Sequence, residues 1–360
     1  MRDARHRFPF AASLTSVVLV FASCQKAPPP DPLCTYEPLP ESARVAPDQG
    51  AIRISAPASD YFYVVDSNGK EVGHAKADGT VAVKPGQYKV TLNRSAHSVW
   101  AKTKTLTRCA AGALFVSGTT DEYYYVVDPG GTELAHAKMG TPLAFFPGRY
   151  DVKLNSTTQP AEVPSGGAVE LKSGTLHVRG STDEYYYVLS GTGTELAHNK
   201  LDRPLAFLPG PLTVKVNGTS APAQITAAAV LEVKTGALNI QGTTDEYYYV
   251  LSGTGTELAH NKLGRPLSFV EGSYTVKVNN TTVAAKVEAG QSNEYATGTL
   301  TVKGTGSDYY YVVDGASGTE LAHAKVGQPV ALAAGKYSVR LGKDTRPATV
   351  TAGQAAVVNW

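Results

Sequence analysis

Three features of this 360-residue sequence predict an all-β fold of five tandem small β-sandwich repeats in an elongated array. Gly50, Gly112, Gly174, Gly236 and Gly298 recur at intervals of 62 residues, each opening a similar segment such as Gly-Ala-Leu-Phe-Val or Gly-Thr-Leu-His-Val. Residues at home on a pleated surface, Val, Thr and Tyr, dominate between Gly- and Pro-rich turns, while charged residues are only 18% of the chain. No segment shows the 3.6-residue apolar period of a helix. Ahead of the repeats lie a leader and a proline-rich spacer.

The leader comes first. Arg2, Arg5 and Arg7 precede a mostly apolar stretch, residues 8–23, which is 16 residues long. A membrane-spanning helix needs about 20, and this stretch ends in small residues before a cysteine. Phe21-Ala22-Ser23-Cys24 resembles the lipobox of bacterial lipoproteins, with Phe where that family usually has Leu. The resemblance implies a signal peptide over 1–23 and lipidation of Cys24, which becomes the first residue of the mature chain. It also implies an exported protein whose membrane partner is reached through the lipid, at the outer membrane or cell surface rather than the inner membrane. An ordinary signal peptide or an N-terminal membrane anchor is the alternative.

Residues 24–48 hold seven prolines without apolar periodicity and read as an extended spacer. With Cys24 assigned to lipid, Cys34 and Cys109 remain, and two thiols in an exported protein most often pair. A Cys34–Cys109 disulfide would pin the spacer to the first repeat; two free thiols are the alternative.

The repeats span 49–110, 111–172, 173–234, 235–296 and 297–360, leaving no residues for flexible linkers. One insertion, near Ala316, shifts the last copy by a residue. The second copy predicts strands at 113–116, 122–127, 132–138, 142–146 and 150–154, with two more near Val163 and over 169–171. A glycine turn follows the second strand, at Gly69, Gly131, Gly193, Gly255 and Gly318. Pro147-Gly148 predicts a type II turn, and Gly272 and Gly335 persist where the proline is lost, which points to a required positive φ. Six or seven short strands make a small sandwich, and units this small gain from stacking end to end. Gly-x-Leu-x-Val, a Tyr/Val strand, Pro-Leu and Pro-Gly-x-Tyr-x-Val-Lys-Leu-Asn together resemble PEGA-type and carboxypeptidase-regulatory-like sandwiches of bacterial surface proteins. Nearly all of 49–360 is covered. The resemblance implies an envelope module that packs, presents or adheres, and it brings no catalytic residues.

Each repeat carries an aromatic triplet: Tyr61-Phe62-Tyr63, Tyr123-Tyr124-Tyr125, Tyr185-Tyr186-Tyr187, Tyr247-Tyr248-Tyr249 and Tyr309-Tyr310-Tyr311. Strand alternation turns the middle ring inward with Val64, Val126, Val188, Val250 or Val312, and the outer two rings to the opposite face. Those outer pairs are the candidate binding residues, able to stack on sugars or on a protein partner. Packing against a neighbouring repeat is the plainer reading. A second set, Glu-x-x-His-x-Lys, recurs as Glu71/His74/Lys76, Glu133/His136/Lys138, Glu195/His198/Lys200, Glu257/His260/Lys262 and Glu320/His323/Lys325. Alternation places His and Lys on one face and Glu on the other. One His per repeat beside a cation is a poor start for a metal site, and no metal or other cofactor is expected.

An acid precedes each triplet, at Asp60, Glu122, Glu184, Glu246 and Asp308, and reads as part of a solvated salt-bridge rim. No nucleophile stands beside a base, so no catalytic residues and no enzyme are expected. The net charge of +2, without a dense Lys/Arg cluster, argues against nucleic acid as a partner. The leading expectation is a non-catalytic envelope stalk, spacer or adhesive presenter. The runner-up is a multivalent polysaccharide binder using the outer tyrosines, with another envelope protein as the remaining partner class and a metal-binding or enzymatic protein as a remote third. The third and fourth copies are identical over 182–200 and 244–262, so shared residues also record duplication.

Overall fold

The computed structural model describes residues 31–41, 43–306 and 308–360, within which Leu33–Trp360 forms one compact unit. The expected signal peptide over 1–23 and the expected lipid site at Cys24 lie outside the described residues. The chain is all-β, a tandem array of small β-sandwiches.

The first repeat shows the plan. Its strands are β1 (Cys34–Pro38), β2 (Gly50–Ser55), β3 (Tyr61–Val65), β4 (Glu71–Lys76), β5 (Val81–Val83), β6 (Gly86–Leu92), β7 (Ser95–Ala101) and β8 (Thr105–Ala110). One sheet runs β4-β3-β6-β7 and the other β1-β8-β2-β5, with β2 and β8 parallel. Repeats 2 to 5 repeat β2 to β8, and β1 is an addition of the first. It pairs antiparallel with β8 and sets Cys34 directly opposite Cys109, where the two form a disulfide. Part of the segment expected as an extended spacer is therefore an edge strand of the first sandwich.

Inside each sandwich the core follows from alternation. Phe62, Tyr124, Tyr186, Tyr248 and Tyr310 are fully buried, as are the five valines two residues on. Burying a phenol requires a partner for its hydroxyl. Tyr124 donates to Thr141 O at 2.7 Å, and Tyr186, Tyr248 and Tyr310 donate to Arg203 O, Arg265 O and Gln328 O at the same distance. Burial holds all four phenols well above their ordinary range.

The 62-residue glycine has a steric cause. A Cβ on Gly112 would sit 2.1 Å from Pro164 O, and one on Gly50 would sit 2.0 Å from Lys102 O. The first strand thus starts against the carbonyls of its own repeat's last corner, and only a residue without a Cβ can start there. The glycine of the expected type II turn has the expected positive φ in three copies, but at 156° to 157° in Gly86, Gly148 and Gly210 it lies well past the value near 80° that a type II turn uses. Gly272 and Gly335 do not have a positive φ. Beside them Tyr274 and Tyr337 curl back to donate to Val270 O and Ala333 O, and a Cβ on either glycine would lie 3.0 Å from the Tyr oxygen. In those two copies the position supplies room for that ring. The glycines at 69, 131, 193, 255 and 318 do have positive φ, from 68° to 85°.

Single residues, Ala111, Ser173, Thr235 and Thr297, join one repeat to the next. Between repeats 3 and 4 the chain does not break at all, running as one strand over Val230–Gln241. The hydrophobic clusters cross these joins: Ala144 and Phe146 pack into the core of repeat 1, and Ala206 and Leu208 into that of repeat 2.

Candidate functional site

Two constellations recur in every repeat or nearly so, one at the junctions and one on the open face of the larger sheet. The junction starts from the hairpin between β6 and β7. Its tip, Asn93-Arg94, has φ of 45° and 60°, the left-handed pair of a type I′ turn, and Asn155-Ser156 and Asn217-Gly218 repeat it. Asn tolerates that conformation and keeps its side chain free to work. Asn155 Nδ2 donates to Glu122 Oε1 at 2.5 Å and to Ala206 O of the next repeat at 2.9 Å. Ala206 N in turn donates to Glu122 Oε2 at 2.8 Å. Two residues past the tip, Thr157 Oγ1 accepts from Leu208 N at 3.0 Å.

The same clamp joins Asp60, Asn93 and Ser95 to Ala144 and Phe146. It joins Glu184, Asn217 and Thr219 to Ser268 and Val270, and Glu246, Asn279 and Thr281 to Ala331 and Ala333. At each of the four junctions, side chains of one repeat satisfy the outer edge of the next repeat's short β5-type strand. Those backbone groups have no strand beside them and would otherwise be stranded in the interface. The acids at 60, 122, 184 and 246 are accordingly half-buried junction ligands, which corrects their reading as a solvated rim.

The open face carries the tyrosine pairs. Tyr61, Tyr63, Tyr123, Tyr125, Tyr185, Tyr187, Tyr247 and Tyr309 are 39 to 47% exposed, and Tyr249 and Tyr311 are half-buried. A histidine from the neighbouring strand lies against each pair: His136 is 6.0 Å from Tyr123 and 5.4 Å from Tyr125, centre to centre. Lys138 stands 5.9 Å over Tyr123, and Asp121, 3.0 Å from it, holds that ammonium above its ordinary pKa. Glu133 Oε1 is 2.8 Å from His136 Nδ1, and the pair recurs in all five copies at 2.7 to 2.8 Å.

Strict alternation had put that glutamate on the opposite face. The register explains the difference: Val126 pairs with Ala135 but Val127 with Glu133, so a bulge at Leu134 returns Glu133 to the side of His136. Glu, His, Lys and two Tyr therefore form one cluster per repeat. The first cluster borders a cleft of about 610 Å³, lined by Tyr61, Tyr63, Thr91, Arg94 and, across the junction, Leu134.

No protein-family model and no curated protein matches the chain. Among solved structures it is similar to the Bacillus anthracis TIE protein, at 14% identity over 73% of this chain and 67% of that one, with a TM-score of 0.16. It is also similar to a variant of the major pilin subunit of Bacillus cereus, at 9% identity over 87% and 99% of the two chains, with a TM-score of 0.19. A third is Sidekick-1 immunoglobulin domains 1–5, at 10% identity over 91% and 99%, with a TM-score of 0.09. Scores this low carry no argument about this chain.

Proposed function

We propose that this chain is a non-catalytic envelope protein, lipid-anchored at Cys24, whose five sandwiches act as a semi-rigid stalk that holds its aromatic face away from the membrane. The observation that carries the reading is the junction. Single-residue joins, shared cores and a side-chain clamp at each of four interfaces couple the repeats, where a flexible tether would isolate them. Two measurements test it. Metabolic labelling with a palmitate analogue should mark the chain and be lost in Cys24→Ala. Small-angle scattering of the purified chain should give an extended particle whose profile does not change with ionic strength; a profile of independent beads on a string would refute the stalk.

A second reading is favoured by the tyrosine clusters: multivalent binding of polysaccharide, with sugar rings stacked on the outer pairs. It is supported by their exposure and by the cleft beside Tyr61 and Tyr63. Retention on immobilised polysaccharide should disappear when both outer tyrosines are changed to Ala in all five repeats. Retention unchanged by those substitutions would end this reading and leave the stalk intact.

A further inference from the structure

The clamp is not present everywhere. In repeat 5 the position of Asn93, Asn155, Asn217 and Asn279 is Gly342, and that of Ser95, Thr157, Thr219 and Thr281 is Asp344. Lys343 stands between them, and all three are exposed. The backbone has not changed its plan, because Gly342 has the left-handed φ of 61° that Asn279 has at 51°. Asp308 still stands in the acid position. What is missing is the amide that gripped a carbonyl and the hydroxyl that received an N–H.

The opposite end of the array is altered as well. Ala82, on β5 of repeat 1, is exposed where Ala144, Ala206, Ser268 and Ala331 are fully buried under the preceding clamp. Two residues on, repeat 1 has an exposed Lys84 where the inner copies insert Phe146, Leu208, Val270 or Ala333.

We infer that these two faces are stops that prevent a second copy of the chain from docking head to tail, so that the five-repeat body is a terminated unit rather than a polymerising one. The inference goes beyond the stalk reading and does not depend on what the tyrosine face binds. Repeat 5 and repeat 1 would otherwise present the same complementary surfaces that meet at every internal junction, and a head-to-tail contact of that kind has no symmetry to close it. Each stop acts through desolvation. Docking would carry the Lys84 ammonium into the counterpart of the apolar site that takes Phe146 in repeat 1, and would bury the Asp344 carboxylate, which stands at the position of Ser95, in the interface. It would also leave the carbonyl of Ala82 without its amide donor. Any attraction between Lys84 and Asp344, exposed in the free chain, would have to repay the desolvation of both groups in the docked interface.

The test is a repair in halves, read by sedimentation velocity on the full chain in mild detergent. Lys84→Leu restores one face; Gly342→Asn with Asp344→Thr restores the other. The natural chain and each half-repaired chain should sediment as monomers. A mixture of the two half-repaired chains should form a one-to-one pair, tighter than the natural chains by about two- to tenfold for each restored hydrogen bond. A chain carrying all three substitutions should form open-ended oligomers. Thermal unfolding of each variant checks that it is folded. The inference is overturned if the natural chain self-associates, in particular in a salt-sensitive way through Lys84 and Asp344. A mixture of folded half-repaired chains that stays monomeric overturns it equally.

Discussion

Removing the Glu122 carboxylate should uncouple repeats 1–2 from repeats 3–5. Three hydrogen bonds converge on it: from Asn155 Nδ2 at 2.5 Å, from Ala206 N at 2.8 Å and from Thr120 Oγ1 at 2.5 Å. A bond to a charged group contributes about 1.5–3 kcal/mol, so the gross sum is roughly 5–9 kcal/mol. Glu122 is only half-buried, and water entering after its loss would recover much of this. The expected net cost of Glu122→Ala is about 3 kcal/mol, located at one interface. In a linear array, stability is a sum of repeat and interface contributions, so weakening one interface changes cooperativity more than overall stability. Calorimetry should resolve two transitions where the natural chain shows one, and hydrogen exchange should rise first at Ala206. Glu122→Gln should fall between, because Asn155 Nδ2 and Ala206 N donate to different carboxylate oxygens and one of these becomes an NH2, itself a donor. Glu133→Ala, which removes only the exposed partner of His136, is the control and should lie within about 0.5 kcal/mol of the natural chain. If Glu122→Ala matches that control, with one unshifted transition, the clamp does not couple the repeats.

Three further outcomes are expected. Reducing the Cys34–Cys109 bond, or replacing both residues with Ser, should destabilise repeat 1 by up to about 4 kcal/mol, given a sequence separation of 75, and leave the unfolding of repeats 3 to 5 unchanged. Gly112→Ala, whose Cβ would meet Pro164 O at 2.1 Å, should cost about 3 kcal/mol in denaturant titration, whereas Gly131→Ala, in open space at φ 85°, should cost only the left-handed penalty of about 1–2 kcal/mol. The four buried phenols have folded pKa values raised above the unfolded one. Their contribution is full below about pH 10 and is lost as pH rises toward their folded values, so stability should fall in strong alkali. Ultraviolet absorbance should show these phenols ionising only together with unfolding, and repeat 1, which has Phe62 in place of such a phenol and only the less buried Tyr88 raised, should lose less.

Much of this was legible in the residues because period-two alternation is a local rule. It placed Tyr124 and Val126 inside and Tyr123 and Tyr125 outside without any knowledge of the sheet partners. The disulfide followed from compartment and counting, although nothing local showed that Cys34 would sit on a strand. Glu133 was misplaced because a bulge adds a residue to one strand, and only the partner strand reveals it. The clamp was missed for a different reason. Its ligands are 33 residues apart in one repeat and grip backbone 51 residues further on, so no window of sequence contains them. A signal was nevertheless present: Asn-x-Ser/Thr recurs at 93, 155, 217 and 279 and is replaced by Gly-Lys-Asp in the last copy. A polar motif kept at every internal junction and lost at the end is the pattern of an interface.

That distinction bears on the tyrosine clusters. Duplication accounts for identity between repeats 3 and 4, but the first copy has diverged widely, to Asp60, Phe62 and Lys84. The fold explains those changes: Asp60 still serves the clamp, Phe62 still fills the core, and Lys84 faces no preceding repeat. The outer set, Tyr61, Tyr63, Glu71, His74 and Lys76, is unchanged in the same copy and retains its geometry, with His74 at 6.0 and 5.5 Å from the two rings. It fills no core and grips no neighbouring repeat, and exposed residues of this kind ordinarily contribute little to stability. The internal copies thus separate two kinds of retention, one that folding explains and one that it does not. Replacing the outer tyrosines of all five repeats should therefore leave the unfolding profile nearly unchanged while altering whatever the protein holds. A large loss of stability would return those rings to the structural account and leave the face without a role.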